Sequence, residues 1–113
     1  MIGYHEPPKE TADFTITETS VGMKFDGNKL QWDLLPFEQL EQVVKVLMEG
    51  AKKYDKDNWK YVDNAKERYM NAAMRHIVSR MKGEVIDPEF DLPHTAHAIC
   101  CLLFLMWFDE NKE

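Results

Sequence analysis

The chain has 113 residues, which is the length of a single domain. With 44% hydrophobic and 30% charged residues it can bury a core, so the composition excludes a disordered tail. The formal net charge of −6 argues against a nucleic-acid polymer or an anionic membrane as partner, because both require a basic face.

Residues 1–33 are predicted to form an extended N-terminal arm, and residues 34–113 a helical domain. Pro7 and Pro8 oppose an early helix, and Phe14–Thr17 alternates in polarity like a short strand. The start of the chain lacks a basic segment followed by an apolar run, so no signal peptide is expected.

A first helix is predicted to begin at Pro36 and to end near Tyr54. Apolar residues recur there at helical spacing, which predicts a buried stripe of Phe37, Leu40, Val44, Leu47 and Ala51. The residues 55–58, Asp-Lys-Asp-Asn, are typical of a turn and end the helix.

A second helix is predicted from about Ala65 to Lys82, with Gly83 as its C-terminal stop. Asn64 and Glu67 have the spacing of a capping box at its start. Its predicted apolar seam consists of Met70, Met74, Ile77 and Met81, with Tyr69, Ala73, His76 and Arg80 along one edge.

A third helix is predicted after an acidic loop at residues 84–91, with Asp91 as its cap and Pro93 in its first turn. The helix continues to about Phe108 and is apolar nearly all round after His97. Its eleven-residue apolar run, 98–108, is too short for a bilayer span of about twenty residues. Such a helix must be covered on every side, so we expect a homodimer or homotetramer.

Three histidines are candidate metal ligands. His94 and His97 lie three residues apart at the start of the third helix, so both imidazoles can face one ion. His76 lies beside the seam of the second helix. The alternative is that each histidine makes only local hydrogen bonds.

Carboxylates supply a second set of candidates. Glu38 and Glu41 are spaced E-x-x-E, Glu84 and Asp87 are spaced E-x-x-D, and Asp91 follows. Hard cations such as Mg²⁺ and Mn²⁺ prefer several such oxygens. The alternative for the first pair is a solvated helix face. A zinc site from His94, His97 and Cys101 is a weaker alternative. The adjacent Cys100 and Cys101 are expected in the core of a reduced, cytoplasmic protein.

Polar and aromatic residues follow the first helix and suggest a nucleotide site. Trp59 can stack on a nucleobase, Asn58 can bind its edge and Lys53, beside Tyr54, can meet a phosphate. Trp59 is an equally good candidate for closing the core beneath a loop.

Several stretches together resemble one family. They are Lys29-Leu-x-Trp32-x-Leu-Leu-Pro36, Gly50-Ala-Lys-Lys-Tyr54-x-x-x-Asn58-Trp59, Arg75-His76, Gly83-Glu84-x-x-Asp87 and Leu92-Pro-His94-x-x-His97-Ala-x-Cys-Cys101. This order resembles the phage and bacterial dATP/dGTP diphosphohydrolase domain proteins, which are related to MazZ and more distantly to MazG. The likeness spans roughly residues 24–106.

The resemblance implies an all-α, MazG-like bundle of three main helices, completed by oligomerisation. It implies a pyrophosphohydrolase that uses Mg²⁺ or Mn²⁺ to convert dGTP or dATP to the monophosphate and pyrophosphate, in the host cytoplasm if phage-encoded. The expected metal ligands or bases are Glu38, Glu41, His76, Glu84, Asp87, Asp91, His94 and His97, with Glu41, His94 and His97 in catalysis. Lys53, Tyr54, Asn58, Trp59 and Arg75 are the expected substrate ligands. The third helix departs from the MazG pattern, because His94-x-x-His97 stands where E-x-x-D is expected, and imidazoles favour Mn²⁺ over Mg²⁺.

Two other functions are consistent with the sequence. An HD-type metal phosphohydrolase would release triphosphate, but the chain contains no His-Asp dipeptide. A helical interaction protein with structural histidines would show no saturable effect of Mn²⁺ on its stability.

Overall fold

A computed structural model describes residues 22–111. They fall into two units, 22–31 and 32–111. In the first unit, the Lys29 amide donates to the Asp26 carbonyl at 3.0 Å, and all of its residues are exposed. The predicted Phe14–Thr17 strand lies outside the described residues.

The second unit opens with a 3₁₀ turn at Trp32–Leu34, followed by helix α1, Phe37–Tyr54. The predicted bounds of this helix are confirmed. Its predicted stripe was partly wrong, because Val43 is buried while Val44 and Phe37 are exposed. Leu40 and Leu47 of the predicted stripe do pack against the core cluster, so the packing face is shifted towards Val43 and Val46.

Helix α2, Ala65–Met81, follows a turn and a 3₁₀ segment, Asn58–Tyr61. Gly83 ends α2 as predicted: its φ is 104°, and the Glu84 amide donates back to the Ser79 carbonyl at 3.0 Å. The predicted capping box was wrong, because the Asn64 side chain donates to the Glu67 carboxylate at 3.0 Å and makes no cap to the backbone.

A short antiparallel hairpin replaces the predicted acidic loop. Strand β1, Ile86–Asp87, pairs with strand β2, Leu92–Pro93, with Asp87 opposite Leu92. Helix α3, His94–Glu110, begins directly after β2. The predicted cap was therefore wrong: Asp91 lies in the hairpin turn with a φ of 58°, and Pro93 precedes the helix.

The packing between α2 and α3 relies on small residues. Ala65 and Ala73 are the buried residues of α2, and Ala73 is only 1% exposed. Because alanine lets two helix backbones approach closely, polar side chains of both helices come within contact distance. On the other side of α3, Ala96 and Cys100 pack against Val43 of α1 to form the core cluster.

The predicted apolar seam of α2 was wrong for its three methionines, whereas Ile77 is half-buried. Met70, Met74 and Met81 are exposed, and the predicted edge residues Ala73 and His76 turn inward instead. Burial follows the alanines, because only they allow α3 to approach. Helix α3 likewise exposes an apolar stripe of Ile99, Leu102, Leu103 and Met106.

The fold class is all-α, with three main helices among the described residues, as predicted. The hairpin is the one sheet in this part of the chain. Over the same residues, no helix combines the length and the hydrophobicity that crossing a membrane requires.

Candidate active site

The hairpin places Asp87 beside the start of α3. The His94 amide donates to the Val85 carbonyl at 2.9 Å, which ties the first residue of the helix to the start of the hairpin. Asp87 Oδ1 accepts the Glu89 amide at 2.9 Å. With Oδ1 occupied by the turn, Oδ2 is the oxygen that faces the histidines.

Three histidines from two helices meet at this point. His94 and His97 lie on successive turns of α3, and both are buried. His76 comes from the inward face of α2, and its ring stacks on that of His97 with centroids 4.6 Å apart. The alanine packing of α2 against α3 makes this contact possible.

The histidine nitrogens form a short relay. Nδ1 of His76 lies 2.8 Å from Nδ1 of His94, and Nε2 of His94 lies 2.7 Å from Oε1 of Glu84. A carboxylate only accepts, so Nε2 of His94 carries the proton and Nδ1 of neutral His94 carries a lone pair. In the metal-free state Nδ1–H of His76 donates to that lone pair, and an ion bound by both Nδ1 atoms would take the place of this proton.

Asp87 completes the cluster. Its Oδ2 lies 3.9 Å from Nδ1 of His76 and 3.7 Å from Nε2 of His97. One ligand atom each from His76, Asp87 and His94 lie within 4.8 Å of one another. Two nitrogens bound to one ion at right angles, with bonds near 2.1 Å, lie about 3 Å apart, so the spacing of the two Nδ1 atoms is that of adjacent ligands.

The surroundings of His76 and His97 favour their neutral forms. Burial lowers the pKa of His76, and the neighbouring His97 and His94 lower it further. Burial also lowers the pKa of His97, against the opposing effect of Asp87. Nε2 of His97 is buried with no hydrogen-bond partner among the described residues. Neutral nitrogens with free lone pairs are the form that binds metal ions.

A cleft of about 910 Å³ adjoins the cluster, and His76 and His97 line both. All five predicted substrate ligands line this cleft: Lys53, Tyr54, Asn58, Trp59 and Arg75. The volume suits a ligand of nucleotide size. The structure therefore brings the predicted substrate residues together and places them next to the histidines.

The aromatic wall of the cleft is built on Trp59. Its ring stacks on Phe104 with centroids 4.3 Å apart, and the edges of Trp107 and Phe108 meet it as well. Tyr69 Oη donates to the Trp59 carbonyl at 3.2 Å. Trp59 thus has the core-closing role that the sequence left open, in addition to lining the cleft.

Two residues of this region were missed by sequence reasoning. Phe90 stacks on His97 at 5.9 Å, and its ring lies 5.8 Å from the Lys53 ammonium. That ammonium also pairs with Glu89 at 3.7 Å, and the Tyr54 hydroxyl and Glu89 raise the pKa of Lys53. The sequence signal that could have identified them was Phe90, an aromatic residue between the acids Glu89 and Asp91.

Other predicted ligands lie elsewhere. Glu38 and Glu41 are exposed on α1, and Asp91 is exposed in the hairpin turn. Glu84 contacts the cluster only through Nε2 of His94. Cys101 lines the cleft, and Cys100 is buried in the core as expected.

Comparison with known proteins gives two matches. A family described as dATP/dGTP diphosphohydrolase, N-terminal, matches residues 19–113. A protein named dATP/dGTP diphosphohydrolase, from Salmonella phage PMBT28, is 35% identical over 91 residues, which is 80% of this chain. The match covers 31% of that relative, so the chain spans about a third of its length. No solved structure matches.

Proposed function

The chain belongs to the dATP/dGTP diphosphohydrolase N-terminal family, and we propose that it hydrolyses purine deoxynucleoside triphosphates to the monophosphate and pyrophosphate. The observation that carries this proposal is the histidine–aspartate cluster at one end of a nucleotide-sized cleft. The cleft offers cationic side chains near the cluster residue His76 and an aromatic wall at Trp59. These are the groups that a metal-bound triphosphate and a purine base require.

A divalent ion is proposed to bind His76, Asp87 and His94, with His97, whose Nε2 lies 3.7 Å from Oδ2 of Asp87, as a base beside it. The unpaired, buried Nε2 of His97 supports this assignment, because an orphaned buried nitrogen gains a partner when an ion or its water binds. When bound, the ion would supply positive charge against the triphosphate and a water of lowered pKa.

The ligand set favours Mn²⁺ or another transition ion over Mg²⁺, because imidazole nitrogens outnumber carboxylate oxygens. A MazG-like carboxylate site would instead need Glu38 and Glu41, and both are exposed on α1. We therefore place the ion at the histidines and leave that carboxylate pair as a second candidate.

The residues of the chain have separable roles in this proposal. Arg75 offers a fixed positive charge to phosphate oxygens beside His76. Lys53 would exchange its contact with Glu89 for a phosphate, since both are exposed partners at 3.7 Å. Neutral His97 can accept a proton at Nε2 from a water in the cleft.

A homodimer is proposed to cover the exposed face of α3. The stripe Ile99, Leu102, Leu103 and Met106 follows i, i+3, i+4, i+7 spacing and lacks any charge. A two-fold axis allows such a stripe to pack against its own copy, as in a coiled-coil seam. Light scattering is expected to give about twice the monomer mass, and a monomeric mass at micromolar concentration would refute the dimer.

The decisive experiment incubates the chain with each dNTP and rNTP plus Mg²⁺ or Mn²⁺ and identifies the products. Monophosphate with pyrophosphate supports the proposal, whereas nucleoside with triphosphate indicates the HD-type alternative. Lack of turnover together with lack of a saturable Mn²⁺ effect on melting favours the helical interaction protein. His97→Asn is the matched variant, expected to lose turnover and keep its helical circular dichroism.

A further inference from the structure

We propose that Glu84 is a positioning residue, which holds His94 so that its Nδ1 lone pair faces the ion, and is not itself a ligand. This inference rests on the ion site proposed above and deepens it. The sequence alone placed Glu84 among the ligands, on the basis of its E-x-x-D spacing with Asp87. The structure separates the two carboxylates, because each meets a different atom of the cluster.

The position of Glu84 is fixed by backbone hydrogen bonds. It directly follows Gly83, whose positive φ turns the chain out of α2, and its amide donates to the Ser79 carbonyl. The next residue, Val85, accepts the His94 amide at 2.9 Å. The carboxylate and the imidazole are therefore held in register by the main chain on both sides.

The contact defines the tautomer of His94. Oε1 of Glu84 lies 2.7 Å from Nε2, which is the short distance of a charge-assisted hydrogen bond. The His94 side chain is only 6% exposed, so water has little access to Nε2 and Glu84 is its hydrogen-bond partner. The Glu84 side chain itself is 53% exposed. A proton held at Nε2 leaves Nδ1 free for an ion, and carboxylates in this position orient metal-binding histidines.

Glu84 is poorly placed to be a ligand. Nδ1 and Nε2 lie on different edges of the imidazole, and the carboxylate occupies the edge away from His76. The group of potential ligand atoms within 4.8 Å contains His76, Asp87 and His94, without Glu84. The His94 ring would thus lie between the ion and Glu84, the residue that orients the ring.

The test measures metal binding in the absence of nucleotide. The unaltered protein, Glu84→Ala, Glu84→Gln and the control Glu110→Gln, at the exposed end of α3, are titrated with Mn²⁺ by calorimetry and with Co²⁺ by visible absorption. Glu84→Ala is expected to bind about 10–100-fold more weakly. Glu84→Gln keeps an acceptor for Nε2–H and should lose less, and the control should lose nothing.

The saturated Co²⁺ spectrum separates positioning from ligation. A positioning residue changes the affinity and leaves the spectrum at saturation unchanged, because the ligand atoms are the same. A changed spectrum in both variants would make Glu84 a ligand and overturn the inference, as would an unchanged affinity in both. If the unaltered protein fails to bind either ion, the ion site of the proposed function fails as well. Product formation by the unaltered protein is measured separately, so the two failures are distinguishable.

Discussion

Replacing Asp87 with asparagine tests the ion site with little disturbance of the fold. Asparagine retains the volume and an oxygen that can accept the Glu89 amide, the hydrogen bond that Oδ1 now makes at 2.9 Å. What is lost is the negative charge of Oδ2, which lies 3.9 Å from His76 and 3.7 Å from His97. We therefore expect the metal-free protein to change in stability by no more than about 1 kcal/mol.

The magnitude follows from binding to the folded state alone. An ion present at 100 times its dissociation constant stabilises the folded protein by about 2.7 kcal/mol. For a domain of this size each kcal/mol raises the melting temperature by about 4–8 °C, so saturation should add about 10–20 °C. If Asp87→Asn weakens binding about 100-fold, as loss of an orienting or binding group does, about 0.4 kcal/mol and 2–3 °C remain.

The assay is thermal unfolding followed by circular dichroism, with and without Mn²⁺, on the unaltered protein and on Asp87→Asn. Asp109→Asn is the matched control, since Asp109 is exposed at the end of α3 and its partner within residues 22–111 is the exposed Lys66. An equal Mn²⁺ shift in Asp87→Asn and in the unaltered protein would refute the assignment of Asp87 as a ligand.

Three further predictions follow from the packing. Ala73→Leu, at the 1% exposed contact of α2 with α3, should cost about 1–3 kcal/mol in thermal unfolding, and an unchanged melting temperature would contradict the close helix approach. Trp59→Ala should lower the free energy of unfolding by about 3 kcal/mol because it removes the stack on Phe104, and it should also raise KM. A rise in KM without a loss of stability would show that Trp59 acts in binding only. Burial raises the pKa of Cys100 to about 12 and also raises that of Cys101, so a thiol reagent at pH 8 should label the native protein far more slowly than the unfolded chain, and equal rates would show the thiols to be accessible.

The helix boundaries were predictable because local chemistry sets them. Pro36 precedes α1, and Gly83 ends α2 through a left-handed turn that glycine adopts without strain. These signals act within a few residues of the chain. They are therefore visible without knowledge of the packing.

The buried faces were less predictable because hydrophobicity alone does not choose them. The methionines of α2 have the apolar spacing of a core, yet Ala73 is buried in their place. Helix packing selects the face of α2 that lets α3 approach most closely, so small residues are buried there in preference to larger apolar ones. This preference depends on the partner helix, which the sequence of α2 does not reveal.

The sequence identified the residues of the candidate site, but it did not show which of them lie together in space. His94 and His97 could be paired from their spacing on one helix, whereas His76 joins them only because the alanine face of α2 turns inward. The division of labour between Glu84 and Asp87 depends on the hairpin, and two-residue strands leave no periodic signal.

Some aspartates of the chain lie at backbone positions with a positive φ angle, so they serve the backbone conformation as well as contributing charge. Asp57 and Asp91 have φ values of 64° and 58°, a region that asparagine and aspartate tolerate better than most other residues. Asparagine at these two positions would satisfy the same turns and change the formal charge from −6 to −4. Part of the negative charge is therefore compatible with a conformational role at loop joints. Asp57 also lines the cleft, whereas Asp91 does not, so the net charge can be engineered at Asp91 without altering the cleft lining.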